Sequence, residues 1–286
     1  MIQSMTGFGK ASRLFSGKKI TIEIKSLNSK GIDLFVKMPS VYRELELDWR
    51  GRLAQQLERG KVDFAIYVEN TLEQPSTQLN VPVIKAYMQQ LRDIHPEADA
   101  TELMKMAVRM PEALKTEREE LDPAERVCLS ELLEEALTHL KQFRLNEGNV
   151  LKEELLLRID NIRQLSTEIV VFEQQRIEHV RNKLQNALQD LKSEIDQNRF
   201  EQELIFYLEK LDVTEEKVRL NNHLNYFIET LNGQEANGRK LGFITQEMGR
   251  EINTLGSKSN QSDMQKCVVQ MKDELEKIKE QVLNIL

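Results

Sequence analysis

The side chains best placed to do chemistry lie between Asp212 and Lys258. Glu216, Arg219 and His223 recur at three- and four-residue steps, so on a helix they occupy successive turns of one face. Glu247 and Glu251 are four apart and share a face of a following helix, with Arg250 and Thr254 beside them. The connection between the two helices is short, which favours antiparallel packing and would bring an imidazole and carboxylates to one divalent cation. Oxygen-rich ligation with a single imidazole suits Mn²⁺ or Mg²⁺. Such a cation acidifies water and offsets charge on a transferring phosphoryl group, the two needs of phosphodiester cleavage. Arg219, Arg239, Lys240, Arg250 and Lys258 are placed to hold neighbouring phosphates. The same spacings also describe ordinary solvated helix faces, with Glu247 and Arg250 as a surface pair.

Other candidates are weaker. His95, His139 and His179 fall on separate predicted helices and read as surface or packing residues. No Ser/His/Asp arrangement has a recognisable spacing. The glycines of TGFG, Thr6–Gly9, precede a strand rather than a helix, so they read as a strand bend and not as a phosphate loop. Cys128 and Cys267 are far apart, which argues against a disulfide scaffold or zinc finger and for a reducing compartment. The opening MIQSMTGFGK lacks a basic stretch followed by an apolar core, and no apolar run reaches the ~18 residues of a membrane helix. The expectation is a cytoplasmic protein with no membrane partner and no small-molecule organic cofactor. A net charge of −7 and a pI near 5.4 suit a polyanion poorly, so any RNA-binding surface must be local.

These residues need elements to position them. Ile20, Ile22 and Ile24 alternate with polar residues, as do Ile32, Leu34, Val36 and Met38, which predicts half-buried strands. A strand over 4–15 precedes them, with turns at Ser16–Lys19 and Asn28–Gly31. Pro39 and Ser40 open a helix whose stripe is Val41, Leu45, Trp49, Leu53 and Leu57; Gly60 stops it, and KVDFAIYVEN forms a last strand. Prolines 82, 96, 111 and 123 break the middle into short helices such as Val83–His95 and Glu102–Arg109. Beyond Gly148 neither Gly nor Pro appears until Gly233. Leu151, Leu155, Ile159, Ile162, Leu165, Ile169 and Phe172 recur there at helical spacing, predicting long antiparallel helices that project or pair with another subunit. Breaks are expected near Gln197 and Asp212. Helices over 214–231, 239–255 and from about 261 to the end follow, the last two separated by a Gly256–Asn260 turn. The fold class is α+β. Its expected parts are an N-terminal domain over 1–150 with a helical insertion at about 75–125, a helical connector over 151–200, and a C-terminal helical domain over 201–286.

The motifs at both ends resemble one known family. MIQSMTGFGKAS, IEIKSLNSKGIDLFVKMP and RLAQQLERGKVDFAIYVE resemble the N-terminal domain of the YicC family. RLNEGNVLKEELLLRIDNI resembles the start of its long helix. LEKLDVTEEKVRLNNHLNYF and GRKLGFITQEMGREINTLGSKS resemble its C-terminal domain. The resemblance implies an endoribonuclease that needs a divalent metal, manganese or magnesium, and assembles as a homo-oligomer, a hexamer, around RNA. It maps site roles onto Glu215, Glu216, Arg219 and His223, onto Gln246, Glu247, Arg250, Glu251, Asn253 and Lys258, and onto Gly238, Arg239 and Lys240. His223, Glu247 and Glu251, with Glu216, are then the metal ligands, the first three also catalytic. Attack by water would leave 5′-phosphate ends and attack by the 2′-hydroxyl a cyclic phosphate; both routes stay open. Where the family pattern has Asn, this chain has Gly249, which loosens a helix by about 1 kcal/mol relative to Ala. The acidic balance also admits a second class, a non-catalytic RNA-binding adaptor that presents RNA or a partner nuclease. A third is a purely structural helical assembly protein.

Overall fold

The computed structural model describes residues 2–71, 78–115, 121–190, 197–233 and 238–286. Its order is β1 (Gly7–Phe15), β2 (Lys18–Leu27), β3 (Ile32–Lys37), a 3₁₀ turn (Ser40–Leu45) running into α1 (Glu46–Leu57), and β4 (Gly60–Asn70). Then come β5 (Gln78–Leu79), α2 (Val81–Ile94), α3 (Ala100–Ala107), β6 (Leu114–Lys115), α4 (Pro123–Asp190), α5 (Gln197–Lys210), α6 (Thr214–Asn232), α7 (Gly238–Lys258) and α8 (Ser262–Val282). The fold is α+β, as the alternating N-terminal pattern and the helical remainder require.

β1, β2 and β4 pair antiparallel, while β3 adds to β4 in parallel, giving the order β1-β2-β4-β3. Two parallel strands need a crossover, and α1 supplies it. Ile20, Ile22, Ile24, Val62, Phe64 and Ile66 turn to the covered face, where Leu45, Trp49, Leu53 and Leu57 meet them. Trp49 stands edge-on to Phe64, with ring centroids 5.6 Å apart. The expected helix stop at Gly60 is corrected: the helix ends at Leu57, Glu58 turns the chain at a positive φ (53°, ψ −61°), and Gly60 (φ 128°) begins β4. Proline breaks left α2 and α3 as a small annex packed around Ile84, Ala107 and Ala113.

α4 dominates the chain. Its 68 residues extend about 100 Å at 1.5 Å per residue. It begins at Pro123, well before the start expected near Gly148. Cys128, Leu129, Leu132, Leu133, Leu137 and Leu140 bury against the sheet, whereas Leu155, Ile159, Ile162 and Ile169 join the core of α6, α7 and α8. One rigid helix therefore holds both halves.

At the crossing point the chain's own beginning passes between them. Ile2 enters the helical core. The backbone of Ser4 bridges to Ile285, Met5 N–H donates to Asn284 O (2.8 Å) and Leu286 N–H to Gln3 O (3.0 Å). Arg144, 3% exposed, donates to Ser26 Oγ, and burial pushes its pKa below the usual guanidinium range. The SMTGFG motif is thus a latch. Thr6 Oγ1 completes it by donating to Glu147 Oε2 (2.8 Å).

α8 is tied to α4 through Glu274, whose carboxylate accepts from Asn161 (2.9 Å), Arg158 (3.3 Å) and Lys277 (2.6 Å). Burial alone would raise its pKa, but these three donors outweigh that and hold it below the ordinary glutamate value. A carboxyl depressed on folding contributes stability above its unfolded pKa and loses it as pH falls through the folded one. Glu274→Gln is therefore expected to lower the urea midpoint at pH 7 and to flatten its pH dependence below the ordinary glutamate range. Parallel pH profiles of the two proteins would refute this.

Candidate active site and nucleic-acid interface

α6 and α7 do pack antiparallel, and two contacts fix their register. Near the start of α6 and the end of α7, Lys258 Nζ donates to Glu216 Oε1 (2.7 Å). At the opposite ends, Lys240 Nζ lies 4.9 Å from the Tyr226 ring centroid. Helical period does the rest. His223 lies two turns on from Glu216, Glu247 two turns on from Lys240, and Glu251 two turns before Lys258. The stripe Glu216–Arg219–His223–Tyr226 therefore faces the stripe Lys240–Glu247–Glu251–Lys258 along one seam. His223, Glu247 and Glu251 are each half-buried at its middle.

The side chains along the seam have different commitments. Glu216 is 6% exposed, held by Lys258, and its Oε2 has no hydrogen-bond partner. Lys258 also donates to Asp212 O (2.9 Å). Asp212 accepts from the Thr214 hydroxyl and backbone N–H (2.7 and 3.0 Å), bonds that hold its carboxyl below the usual aspartate range. Glu247 pairs with Arg250 (2.7 Å), whose side chain is 73% exposed. Arg219 pairs with Glu215 in the open. Among the described residues no three His, Cys, Asp or Glu side chains gather closely enough to hold a metal ion. The donor types fit a hard cation, and an exposed pair such as Glu247–Arg250 is worth under about 1 kcal/mol, so Glu247 can turn at little cost. Glu216 cannot, without stranding Lys258.

That burial carries a test. Lys258→Ala removes the cation from a carboxylate that already lacks one bond, and breaking a buried pair costs about 3–5 kcal/mol, less here because Lys258 is 31% exposed. The expected result is a loss of about 2 kcal/mol in urea unfolding, recovered by adding Glu216→Gln. An unchanged midpoint in Lys258→Ala would count against the pair.

Four mapped residues off the seam, Arg239, Gln246, Arg250 and Asn253, form a second row. Arg239, Phe243, Gln246, Arg250, Asn253 and Ser257 follow four- and three-residue steps along α7 and are all exposed. Phe243, 61% exposed, was absent from the sequence-based set. Its signal was there: it falls out of phase with the buried stripe Leu241, Ile244, Met248, Ile252 and Leu255. An aromatic between arginines and amides has the chemistry to stack on bases beside phosphate donors. At the start of α7, Arg239 and Gln246 line a cleft of about 480 Å³ with Arg59 and Lys279, and its described lining contains no carboxylate. Gly249 stands on the side facing α8, where an added Cβ would lie 3.3 Å from Leu275 Cδ2.

As expected at Thr6–Gly9, the chain is in a strand rather than a phosphate loop, with β1 paired continuously from Gly7. His139 Nδ1 bonds the backbone of Lys10 (2.7 Å), a packing role. No described helix is long and apolar enough to cross a membrane.

Residues 2–153 match the family described as "Endoribonuclease YicC-like, N-terminal region" and residues 169–286 match "Endoribonuclease YicC-like, C-terminal". A protein of Clostridioides difficile named "Probable endoribonuclease YicC" is 32% identical over 295 residues, and one of the same name from Haemophilus influenzae is 30% identical over 288 residues. In both cases 100% of each chain is covered. With both halves matched in order and relatives aligned end to end, this chain belongs to the YicC-like endoribonuclease family.

Proposed function

We propose that this protein is a metal-dependent endoribonuclease that cuts RNA phosphodiester bonds and works as a homo-oligomer, a hexamer, in the cytoplasm. The observation that carries the reading is the pairing of an exposed Arg/Phe/Gln/Arg/Asn row on α7 with a half-buried His/Glu/Glu seam between α6 and α7. The first suits a nucleic-acid strand and the second suits phosphoryl chemistry. The relatives' names point the same way.

In this reading His223, Glu247 and Glu251 hold a divalent cation, Mn²⁺ or Mg²⁺, with Glu216 at the end of the same stripe. The cation would supply Lewis acidity, acidifying water and offsetting phosphoryl charge. The rest falls to the chain's own groups. Arg239 and Arg250 hold the strand by its phosphates, Phe243 orders a base by stacking, and Arg219, Lys240 and Lys258 set the positive potential of the seam. Large apolar side chains exposed on the outer half of α4 and on α5, including Val171, Ile177, Ile205 and Phe206, support self-association.

The test is incubation of the purified protein with a structured RNA in EDTA, Mg²⁺ or Mn²⁺, with end-group analysis and mass measurement of the native particle. Cleavage restricted to the metal conditions is the expected result, and the product ends then distinguish water attack from 2′-hydroxyl attack. That no three ligands gather among the described residues, with the net charge of −7, favours the second reading, an RNA-binding adaptor. Tight RNA binding with no cleavage in any metal would establish that reading instead.

A further inference from the structure

A larger cleft opens just beyond the Lys258 end of the seam. It measures about 690 Å³ and lies between α4, α5 and the turn joining α7 to α8, lined by Arg176, His179, Lys183, Tyr207, Gln261 and Ser262 among others. A volume of this size falls within the range of small-ligand sites. In a chain of net charge −7, its described lining contains no Asp or Glu.

Its positive character has several sources. Arg176 is 6% exposed and fixed by two bonds, from Nη1 to Lys258 O (3.0 Å) and from Nη2 to Leu211 O (2.9 Å). Two carboxylates that act on it, Glu173 and Asp212, are engaged with Lys217 and with Thr214. Lys183 and His179 stand exposed on α4. The N-terminus of α8 has no side-chain cap from Gln261, so its first N–H groups and helix dipole add to the field. Asp263 in that first turn is paired with Lys266. Tyr207 is 48% exposed, and the Oε1 of Gln261 is buried without a partner.

We propose that this cleft is a subsite for one nucleotide of an RNA strand, with its phosphate held by Lys183, His179 and the α8 N-terminus and its base stacked on Tyr207. Arg176 is a positioning residue: by bonding Lys258 O it couples the cleft to the residue that grips Glu216, so a strand seated here leads into the seam. The inference rests on the RNA reading above.

The experiment is fluorescence anisotropy of the full-length protein with a labelled single-stranded oligouridine in EDTA, over a series of salt concentrations, alongside sedimentation of each variant. Tyr207→Ala and Lys183→Ala are each expected to weaken binding about five- to ten-fold, with Tyr207→Phe close to wild type. Lys183→Ala should also lower the salt slope by about 0.7. Wild-type affinity in both alanine variants would overturn the subsite while leaving the RNA reading intact. Affinity lost only together with a change in particle mass would make the cleft a contact between copies, and also overturns it. Failure of the wild-type protein itself to bind RNA would sink the RNA reading and the subsite with it.

Discussion

His223→Ala and Glu247→Ala are each expected to reduce RNA cleavage at least about a hundred-fold, the lower range for loss of a group that acts on the reacting centre, without unfolding the protein. His223 is half-buried on the flank of α6, outside the buried set of Leu220, Leu224, Phe227 and Leu231, so its truncation leaves the core packing alone. Glu247 forms only an exposed pair with Arg250, and such pairs contribute little to stability. Glu251→Gln follows the same logic, keeping shape and removing charge. Loss of cleavage with unchanged RNA affinity and an unchanged urea midpoint separates chemistry from binding and from folding. Glu276→Ala, an exposed i,i+3 pair on α8, serves as the neutral control. Normal cleavage by both His223→Ala and Glu247→Ala would place the chemistry elsewhere.

The second large effect is on stability. Gly9→Ala costs about 3 kcal/mol, the upper range for overpacking a close contact, because a Cβ there would lie 2.1 Å from Ala136 O and 2.9 Å from Leu140 N. Those atoms belong to the α4 backbone, which cannot rotate aside as a side chain can. Gly148 poses the same problem from the other side, with Ile2 O at 2.2 Å. Together they let β1 and the N-terminal latch lie directly on α4, where both cores meet. Gly51→Ala makes the contrast: nothing lies within 4 Å of its added Cβ. In the interior of α1 it gains helix propensity and stabilises by about 1 kcal/mol. Urea midpoints measure all three. A Gly9→Ala protein as stable as wild type would mean that β1 and α4 can separate without loss.

Much of the architecture was legible as pattern. Alternation of Ile20, Ile22 and Ile24 marks a strand with one buried face, and the period of Leu220, Leu224, Phe227 and Leu231 marks a helix, since each follows from local geometry. The strand order was not legible, because β3 pairs in parallel with β4 and pairing depends on where α1 carries the chain. The long helix also starts earlier than its most apolar stretch suggests. Glycine at 148 reads locally as a break, yet it is retained inside α4 because another backbone must pass there.

For the candidate site the division is similar. By itself the sequence determined which residues share a helix face, Glu216 with His223 and Glu247 with Glu251, because helical period needs no partner. It also determined, through family motifs, that the chain is of the YicC type. Only the tertiary structure decided that these faces meet along one seam, that Glu216 is committed to Lys258 while Glu247 can turn, and that Phe243 and the Tyr207 cleft flank them. Those are properties of contacts between residues distant in sequence, and burial, pairing and cavity shape exist only once α4, α6, α7 and α8 are packed together.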